Sequence, residues 1–217
     1  MKPLAHCRLY AFVDAAYLRG REPLAVARDL VRGGADLVQL RAKDWPRERI
    51  AATAASLAPV CRDAGVWFVV NDHTDLAAAV GAPLAHLGQE DFFDVGHGAV
   101  SDAAPPGVQF GLSSHAPEQA RRALAAGAAY IAVGPVHATA TKPGRPAVTL
   151  EYVRWAAAHL DVPWFAIGGI NLENLDAVLA AGARRVCVVG AILNAPDVAA
   201  ACREFRRRLD ATPAKNV

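Results

Sequence analysis

The chain has 217 residues, of which 53% are hydrophobic, and this length can bury one sizeable core. Its 23 Lys and Arg residues nearly balance its 21 Asp and Glu residues, so its charge gives little reason to expect a nucleic acid or a membrane surface as partner. No apolar run reaches the roughly 18 residues of a membrane span. The N-terminus lacks the apolar stretch of a signal peptide, and the four cysteines form no CxxC pair. The composition therefore favours a soluble, cytoplasmic protein with reduced thiols.

Short apolar runs alternate along the chain with longer stretches whose apolar residues recur every three or four positions. We count eight such pairs. The predicted strands are Cys7–Val13, Asp36–Arg41, Val66–Val70, Leu84–Leu87, Val108–Leu112, Tyr130–Val133, Trp164–Ile167 and Arg185–Val189. The predicted helices are Pro23–Arg32, Arg47–Ala64, Thr74–Val80, Asp94–Ala103, Pro117–Ala126, Leu150–His159, Leu172–Ala181 and Asp197–Leu209. Glycines in the left-handed conformation are predicted to end five helices, at Gly33, Gly65, Gly81, Gly127 and Gly182.

Eight β/α units in one domain predict an α/β protein whose parallel sheet closes into a (β/α)8 TIM barrel. We expect residues 1–210 to form this single domain and residues 211–217 to form a flexible tail. An open, doubly wound sheet is the alternative. It is disfavoured because no glycine-rich dinucleotide fingerprint follows the first strand, where Val13 leads into DAAYLRGREP.

The second predicted strand ends in VQLRAKD, which carries an amide and two cations at every second position. Side chains two apart in a strand share one face, so Gln39, Arg41 and Lys43 are predicted to point the same way. Active sites of TIM barrels lie at the C-terminal ends of the strands. Two cations aimed into one barrel mouth favour an anionic ligand. A solvated strand end is the simpler alternative.

Carboxylates follow the third and fourth predicted strands. Asn71 and Asp72 end the third, and Asp91 follows the fourth in LGQED. Neighbouring parallel strands end at the same rim, so we expect these oxygens to lie close together, in a set suited to Mg²⁺. Two alternatives stay open: Asp72 could cap the helix that begins at Thr74, or the two carboxylates could act as general acid and base.

The seventh and eighth strands end in AIGGIN and VVGAI, which place glycines at strand-to-helix joints. Backbone N–H groups at such joints commonly hold a phosphate in barrel enzymes, and Asn171 is a predicted helix N-cap. The loop TATKPG adds the hydroxyls of Thr139 and Thr141 and the cation of Lys142, although its Pro and Gly content also suits an inert turn.

Four histidines fall near the predicted rim, at positions 73, 86, 115 and 137. None has the spacing of a metal site, and no GxSxG elbow or reactive cysteine accompanies them. We therefore interpret each of them as structural.

Seven segments at the ends of consecutive strands, taken in order, resemble the thiamine phosphate synthase family. They are VQLRAKD, VVNDHTDLA, HLGQED, GLSSH, VGPVHATATKP, AIGGIN and VVGAI. The resemblance implies a (β/α)8 barrel that condenses 4-amino-2-methyl-5-(diphosphooxymethyl)pyrimidine with 4-methyl-5-(2-phosphooxyethyl)thiazole. The products would be thiamine phosphate and pyrophosphate, formed by a dissociative substitution with Mg²⁺. The partners it implies are small phosphorylated molecules, and a homo-oligomer is left open.

The resemblance also assigns roles to individual residues. The pyrimidine diphosphate would be held by Gln39, Arg41, Lys43, Asn71, Ser113 and Lys142, of which Arg41, Lys43 and Lys142 would be catalytic. Asp72 and Asp91 would hold Mg²⁺. The thiazole phosphate would be held by Thr139, Thr141, Gly169, Val189 and Gly190.

Several positions depart from the family pattern. Gly190 stands where serine is usual, Ala42 replaces a frequent glutamate, His137 replaces an aromatic residue, and the first strand reads LYAFVD instead of an LYLVTD-like sequence. Two alternative functions fit the residues less well. A thiazole tautomerase on the same barrel has no use for a diphosphate, and this chain keeps every implied cation and carboxylate. The same set argues against a ligand-binding barrel without turnover.

Overall fold

The computed structural model describes residues 1–138 and 147–212. Eight parallel strands run in chain order around a closed barrel, and β8 pairs with β1 through Leu9 opposite Val186. The strands are β1 (Leu9–Asp14), β2 (Leu37–Arg41), β3 (Trp67–Asn71), β4 (Leu84–Leu87), β5 (Gln109–Ser114), β6 (Tyr130–Val133), β7 (Trp164–Ile167) and β8 (Val186–Val188). The predicted TIM barrel is confirmed, and the open-sheet alternative is wrong because closure leaves neither edge strand unpaired.

Helices follow the strands and cover the barrel. They are α1 (Pro23–Arg32), α2 (Arg47–Asp63), α3 (Thr74–Ala79), α4 (Pro117–Ala125), α5 (Thr149–His159), α6 (Leu175–Ala180), α7 (Gly190–Leu193) and α8 (Val198–Asp210). No helix within the described ranges is both long and apolar enough to cross a membrane. The short α7, directly after β8, was not predicted from the sequence.

One predicted helix is replaced by two short turns, and another begins later than predicted. In place of a helix over Asp94–Ala103, a π-helical turn spans Glu90–Asp94 and a 3-10 turn spans Val100–Asp102. Gly96, with φ of 97°, separates the two turns in a conformation that ordinary residues rarely adopt. Helix α6 begins three residues later than expected because the Asn171 side chain accepts the backbone N–H groups of residues 173 and 174 and holds a turn there.

The end of α1 corrects one predicted glycine role. Gly34 has the left-handed φ of 86°, whereas Gly33 has φ of −78°. A Cβ on Gly33 would lie 2.4 Å from the Cβ of Cys202, so this glycine allows α8 to approach α1. The other four predicted glycines, Gly65, Gly81, Gly127 and Gly182, do have positive φ.

Asp36, just before β2, organises the end of the barrel opposite the strand C-termini. Its carboxylate accepts the backbone N–H of Leu9 at 3.1 Å and the guanidinium of Arg206 on α8 at 2.8 Å, and it also pairs with Lys2. The guanidinium of Arg8 donates to the carbonyl of Thr212 at 2.9 Å. These contacts bind both ends of the described chain to the base of the barrel.

Candidate active site

A cavity of about 580 Å³ opens at the C-terminal ends of the strands. Ten of the predicted site residues line it: Gln39, Arg41, Lys43, Asn71, Asp72, Asp91, Ser113, Gly169, Val189 and Gly190. The other three, Thr139, Thr141 and Lys142, lie outside the described residues. Strand order explains the grouping. Residues of β2 to β5 supply the polar side chains, and the loops after β7 and β8 supply glycines.

The two cations at the end of β2, Arg41 in the strand and Lys43 two residues after it, each have a carboxylate partner. Arg41 Nη1 donates to Asp14 Oδ2 at 2.9 Å, and Lys43 Nζ lies 3.3 Å from Asp72 Oδ2. The Asp14 side chain is 1% exposed, so the Arg41 pair is nearly dry, whereas the Lys43 pair lies at the open rim. Each cation is thus paired with its own carboxylate, which lowers the repulsion between two cations facing one mouth.

Asp72 and Asp91 both face the cavity. Asp72 has a left-handed backbone conformation, with φ of 65°. Its backbone N–H donates to the His86 carbonyl at 2.9 Å, which holds Asp72 at the rim beside β4. Asp91 Oδ2 accepts the Gly88 N–H at 3.3 Å, and a Cβ on Gly88 would lie 2.6 Å from that oxygen. The alternative that Asp72 caps α3 is not seen, since the N-cap residue is His73, without a side-chain cap bond.

This donor set fits Mg²⁺. Two carboxylates facing one open cavity match an ion that takes one or two protein carboxylates and completes its coordination with water and phosphate oxygens. Within residues 1–138 and 147–212, no three histidine, cysteine or acidic side chains are grouped to hold a metal. Any ion held by Asp72 and Asp91 would therefore rely on water and ligand for its remaining coordination.

The wall made by the loops after β7 and β8 contains three glycines, Gly168, Gly169 and Gly190. Gly168 and Gly169 have φ of 104° and 62°, and a Cβ on Gly169 would lie 2.7 Å from the Ala138 carbonyl oxygen. Asn174 Nδ2 donates to the Gly169 carbonyl at 2.9 Å and holds this loop against α6. The β7 loop therefore approaches the β6 loop too closely for a side chain at residue 169.

Sequence reasoning assigned no site role to several polar residues at this cavity, among them Tyr17, His115 and Asn194, and five others are joined to the site by hydrogen bonds. Four of them, Asp14, Tyr10, Tyr130 and His86, contact predicted site residues or one another, and the fifth, Gln89, donates its amide to the Ser113 carbonyl. His86 Nε2 lies 3.0 Å from Ser113 Oγ. His86 was interpreted from the sequence as purely structural, and this contact with a predicted site residue was not foreseen. Tyr10, Phe12 and Asp14 are every second residue of β1 and so share one face of the strand. This alternation was the sequence signal that could have identified Tyr10 and Asp14.

The sequence of this chain matches a known family along most of its length. The sequence model described as thiamine monophosphate synthase matches residues 9–192. The chain belongs to the thiamine monophosphate synthase family. A thiamine-phosphate synthase of Thermus thermophilus is 51% identical over 185 residues, which cover 82% of this chain and 84% of that protein. The enzyme of Acidothermus cellulolyticus is 47% identical over 212 residues, which cover 96% and 97%.

A solved structure of the same family agrees with the fold. The thiamine phosphate pyrophosphorylase from Pyrococcus furiosus superposes with a TM-score of 0.85 at 28% identity, covering 98% of this chain and all of that one. Membership of the thiamine monophosphate synthase family confirms the resemblance found in the sequence. It also confirms the prediction that the chain is an enzyme of the transferase class.

Proposed function

We propose that the chain condenses 4-amino-2-methyl-5-(diphosphooxymethyl)pyrimidine with 4-methyl-5-(2-phosphooxyethyl)thiazole to give thiamine phosphate and pyrophosphate. The observation that carries this proposal is the division of one cavity into two chemically different sides. Cations and carboxylates from β2, β3 and the segment after β4 line one side, and glycine loops after β7 and β8 line the other. Two phosphorylated substrates need such a pair of neighbouring sites.

The pyrimidine diphosphate is assigned to the charged side. Arg41 and Lys43 supply cations, and Gln39, Asn71 and Ser113 supply hydrogen-bonding groups around the same wall. Lys142, outside the described residues, would add a third cation from the β6 loop. Charge-assisted hydrogen bonds of this kind are the strongest that a protein offers to a diphosphate.

Asp72 and Asp91 would hold Mg²⁺ at the charged side of the cavity. The bound ion would supply positive charge to the phosphate oxygens. Asp72 contacts Lys43, so the two residues assigned to the ion and to the diphosphate already lie side by side at the rim. That adjacency supports a shared binding site for the ion and the diphosphate.

The thiazole phosphate is assigned to the loops after β7 and β8. Backbone N–H groups at Gly169, Val189 and Gly190 would donate to the phosphate, with the hydroxyls of Thr139 and Thr141 completing the site. Small residues matter here because a phosphate must approach the backbone closely. Gly190 offers no hydroxyl, so its contribution would come from its N–H alone.

In the proposed reaction, the bond between the pyrimidine methylene carbon and the diphosphate oxygen breaks first, and its electrons leave with pyrophosphate. Arg41, Lys43 and Lys142 would stabilise the negative charge that develops on this leaving group. The electron-rich aminopyrimidine carries the resulting positive charge. The lone pair of the thiazole nitrogen then forms the new carbon–nitrogen bond, and no proton has to move. This chemistry needs no general base.

The proposal also covers the cellular compartment of the enzyme and its partners. We propose a cytoplasmic enzyme that acts on small phosphorylated substrates without nucleic-acid or membrane partners. All four cysteines are free and buried, which suits a reducing compartment. The near balance of acidic and basic residues gives no electrostatic basis for binding nucleic acid.

The deciding experiment mixes the purified protein with both phosphorylated rings and follows pyrophosphate and thiamine phosphate. We expect equal amounts of both products, formed only when both rings and Mg²⁺ are present and abolished by EDTA. Mixtures that lack one ring are the controls. Rearrangement of an isomeric thiazole carboxylate phosphate without pyrophosphate release would instead identify a tautomerase, and binding of both rings without product would identify a barrel without turnover.

A further inference from the structure

Five polar side chains from five different strands form one continuous hydrogen-bonded chain across the base of the cavity, and all of them except Tyr130 line it. Gln39 Nε2 contacts the Tyr10 hydroxyl, which lies 2.8 Å from the Tyr130 hydroxyl. The Tyr130 hydroxyl lies 3.1 Å from His86 Nδ1, and His86 Nε2 lies 3.0 Å from Ser113 Oγ. The two ends of the chain, Gln39 and Ser113, both line the cavity.

Counting protons gives this chain a direction. The amide nitrogen of Gln39 can only donate, so the Tyr10 oxygen accepts there, and its single proton can be donated to Tyr130. The Tyr130 oxygen is then an acceptor on that side and donates its own proton to His86. In this arrangement the imidazole would accept at Nδ1, carry its proton at Nε2 and donate it to the Ser113 oxygen.

Burial shields the two phenols of the chain from water, whereas His86 is half-buried and lines the cavity. Tyr10 is 1% exposed and Tyr130 is fully buried, so both hydroxyls are closed off from bulk solvent. Burial also raises the pKa of both phenols well above their usual value, so each keeps the proton that it must donate. The rings are fixed as well, because both pack edge-on against Phe165 with centroids 5.4 and 5.6 Å away.

We propose that Tyr10, Tyr130 and His86 are positioning residues that fix opposite hydrogen-bonding characters at the two ends of the chain. Gln39 presents its Oε1 to the cavity as an acceptor, and Ser113 presents its hydroxyl as a donor. A ligand that fits this pair carries an N–H donor at one end and an anionic oxygen at the other. The proposal rests on the proposed function, in which an aminopyrimidine diphosphate has both groups.

The protonation state of His86 tests the direction without any substrate. Proton–nitrogen correlation spectra of the uniformly ¹⁵N-labelled protein at neutral pH report which ring nitrogen carries the proton, and a His86→Asn variant identifies the signal among the seven histidines. We expect the Nε2–H tautomer in the wild-type protein and a change of its nitrogen shifts in Tyr130→Phe. A Nδ1–H tautomer or a charged imidazole would overturn the proposal.

The functional consequence is tested with matched phenol deletions. Tyr130→Phe removes one hydroxyl from the chain, and Tyr152→Phe removes another buried hydroxyl, which contacts Ser114 Oγ and the Ala116 carbonyl and does not line the cavity. We expect Tyr130→Phe to raise the KM for the pyrimidine diphosphate about tenfold, as for loss of one net hydrogen bond. The KM for the thiazole phosphate should stay unchanged.

Thermal melting of both variants separates this effect from a loss of folding. Equal pyrimidine KM values in the two variants would overturn the positioning role. If the enzyme proved to use other substrates, the tautomer measurement would still decide the direction of the chain, so failure of the proposed function and failure of this inference are distinguishable.

Discussion

Arg41 and Asp14 form an ion pair across β1 and β2 through one guanidinium nitrogen, and Arg41 also lines the cavity. The Asp14 carboxylate uses Oδ2 for Arg41 at 2.9 Å and Oδ1 for the backbone N–H of Ala16 at 3.0 Å. Residues 14 and 41 are also register partners in the barrel. The end of β1 therefore fixes the direction in which the proposed diphosphate ligand Arg41 points.

Asp14→Asn should lower turnover without unfolding the protein. Asparagine can still accept the Ala16 N–H, so the change mainly removes the charge that holds Arg41. We expect a fall of about tenfold in kcat/KM for the pyrimidine diphosphate, the size of a charge-assisted hydrogen bond. Asp197→Asn, at the N-cap of α8, makes the same change away from the cavity and should leave kcat/KM unchanged. Equal losses in both variants would contradict the role of Asp14.

Asp72→Asn and Asp91→Asn should each remove Mg²⁺-dependent turnover from a folded protein. Both carboxylates lie at the rim, so we expect a rate loss of at least about 10²-fold and little change in melting temperature. Pyrophosphate release measured against Mg²⁺ concentration, beside thermal melting, checks this. Asp75→Asn is the control, because Asp75 pairs with Arg47 outside the cavity. Normal turnover in both rim variants would refute the metal assignment.

The order of bond breaking and attack can be tested with an altered pyrimidine. Replacing the ring methyl group by trifluoromethyl withdraws electrons and destabilises a methylene cation. We expect single-turnover rates with saturating thiazole phosphate to fall steeply, by about 10²-fold or more. Near-equal rates for the two pyrimidines would indicate direct displacement and leave Arg41 and Lys43 with a binding role only.

Gly169→Ala should impair the thiazole phosphate selectively. A Cβ there would collide with the Ala138 carbonyl and push the β6 and β7 loops apart. We expect the KM for the thiazole phosphate to rise about tenfold while that for the pyrimidine stays constant. Gly107→Ala imposes a similar backbone strain, with φ of 80° but no atom within 4 Å of the new Cβ, and should change neither KM. A parallel rise of both KM values in Gly169→Ala would point to general disruption.

The buried thiols should make stability fall in alkali. Burial raises the pKa of Cys7, Cys61 and Cys202 from 9.0 to about 12. Between these values the unfolded chain has lost thiol protons that the folded chain keeps, so the contribution of the thiols to the free energy of unfolding is complete below pH 9 and declines above it. Each thiol contributes a slope of roughly 1 kcal/mol per pH unit.

Chemical denaturation between pH 8 and 11 with reductant measures this slope. Cys61→Ala should make the slope of the free energy of unfolding against pH less steep by the contribution of one thiol. The smaller side chain also lowers stability at pH 8, but this loss does not change the slope. Ser56→Ala on the same helix, at an exposed position, is the control and should keep the wild-type slope. An unchanged slope in Cys61→Ala would show that its thiol is not protected by burial.

The barrel was predictable because strand and helix periods alternate along the chain with little interruption. The predicted strands at residues 84–87, 130–133 and 164–167 have the same bounds in the structure. The rim residues were predictable for a related reason: β-strand alternation and parallel strand ends fix where side chains such as Gln39 and Asp91 emerge.

The interior contacts were not predictable because barrel closure creates them. Tyr10 and Tyr130 are 120 residues apart, and in sequence each resembles an ordinary core aromatic residue. Asp14 was placed beyond the first strand, which was predicted to end at Val13, so its pairing with Arg41 had no visible basis. A polar residue that completes a buried network can be identified only once its partners are positioned.

The contacts of Asp36 have a practical consequence for engineering. Through Lys2 and Arg206 this carboxylate draws the first residues and the last helix to the base of the barrel, and Arg8 binds Thr212 on the same side. Lys2 and Thr212, near the two ends of the described residues, therefore lie on the side of the barrel opposite the mouth, where fusion partners or surface-attachment tags can be joined. Immobilised in this way, the barrel would turn its open end toward the substrate solution.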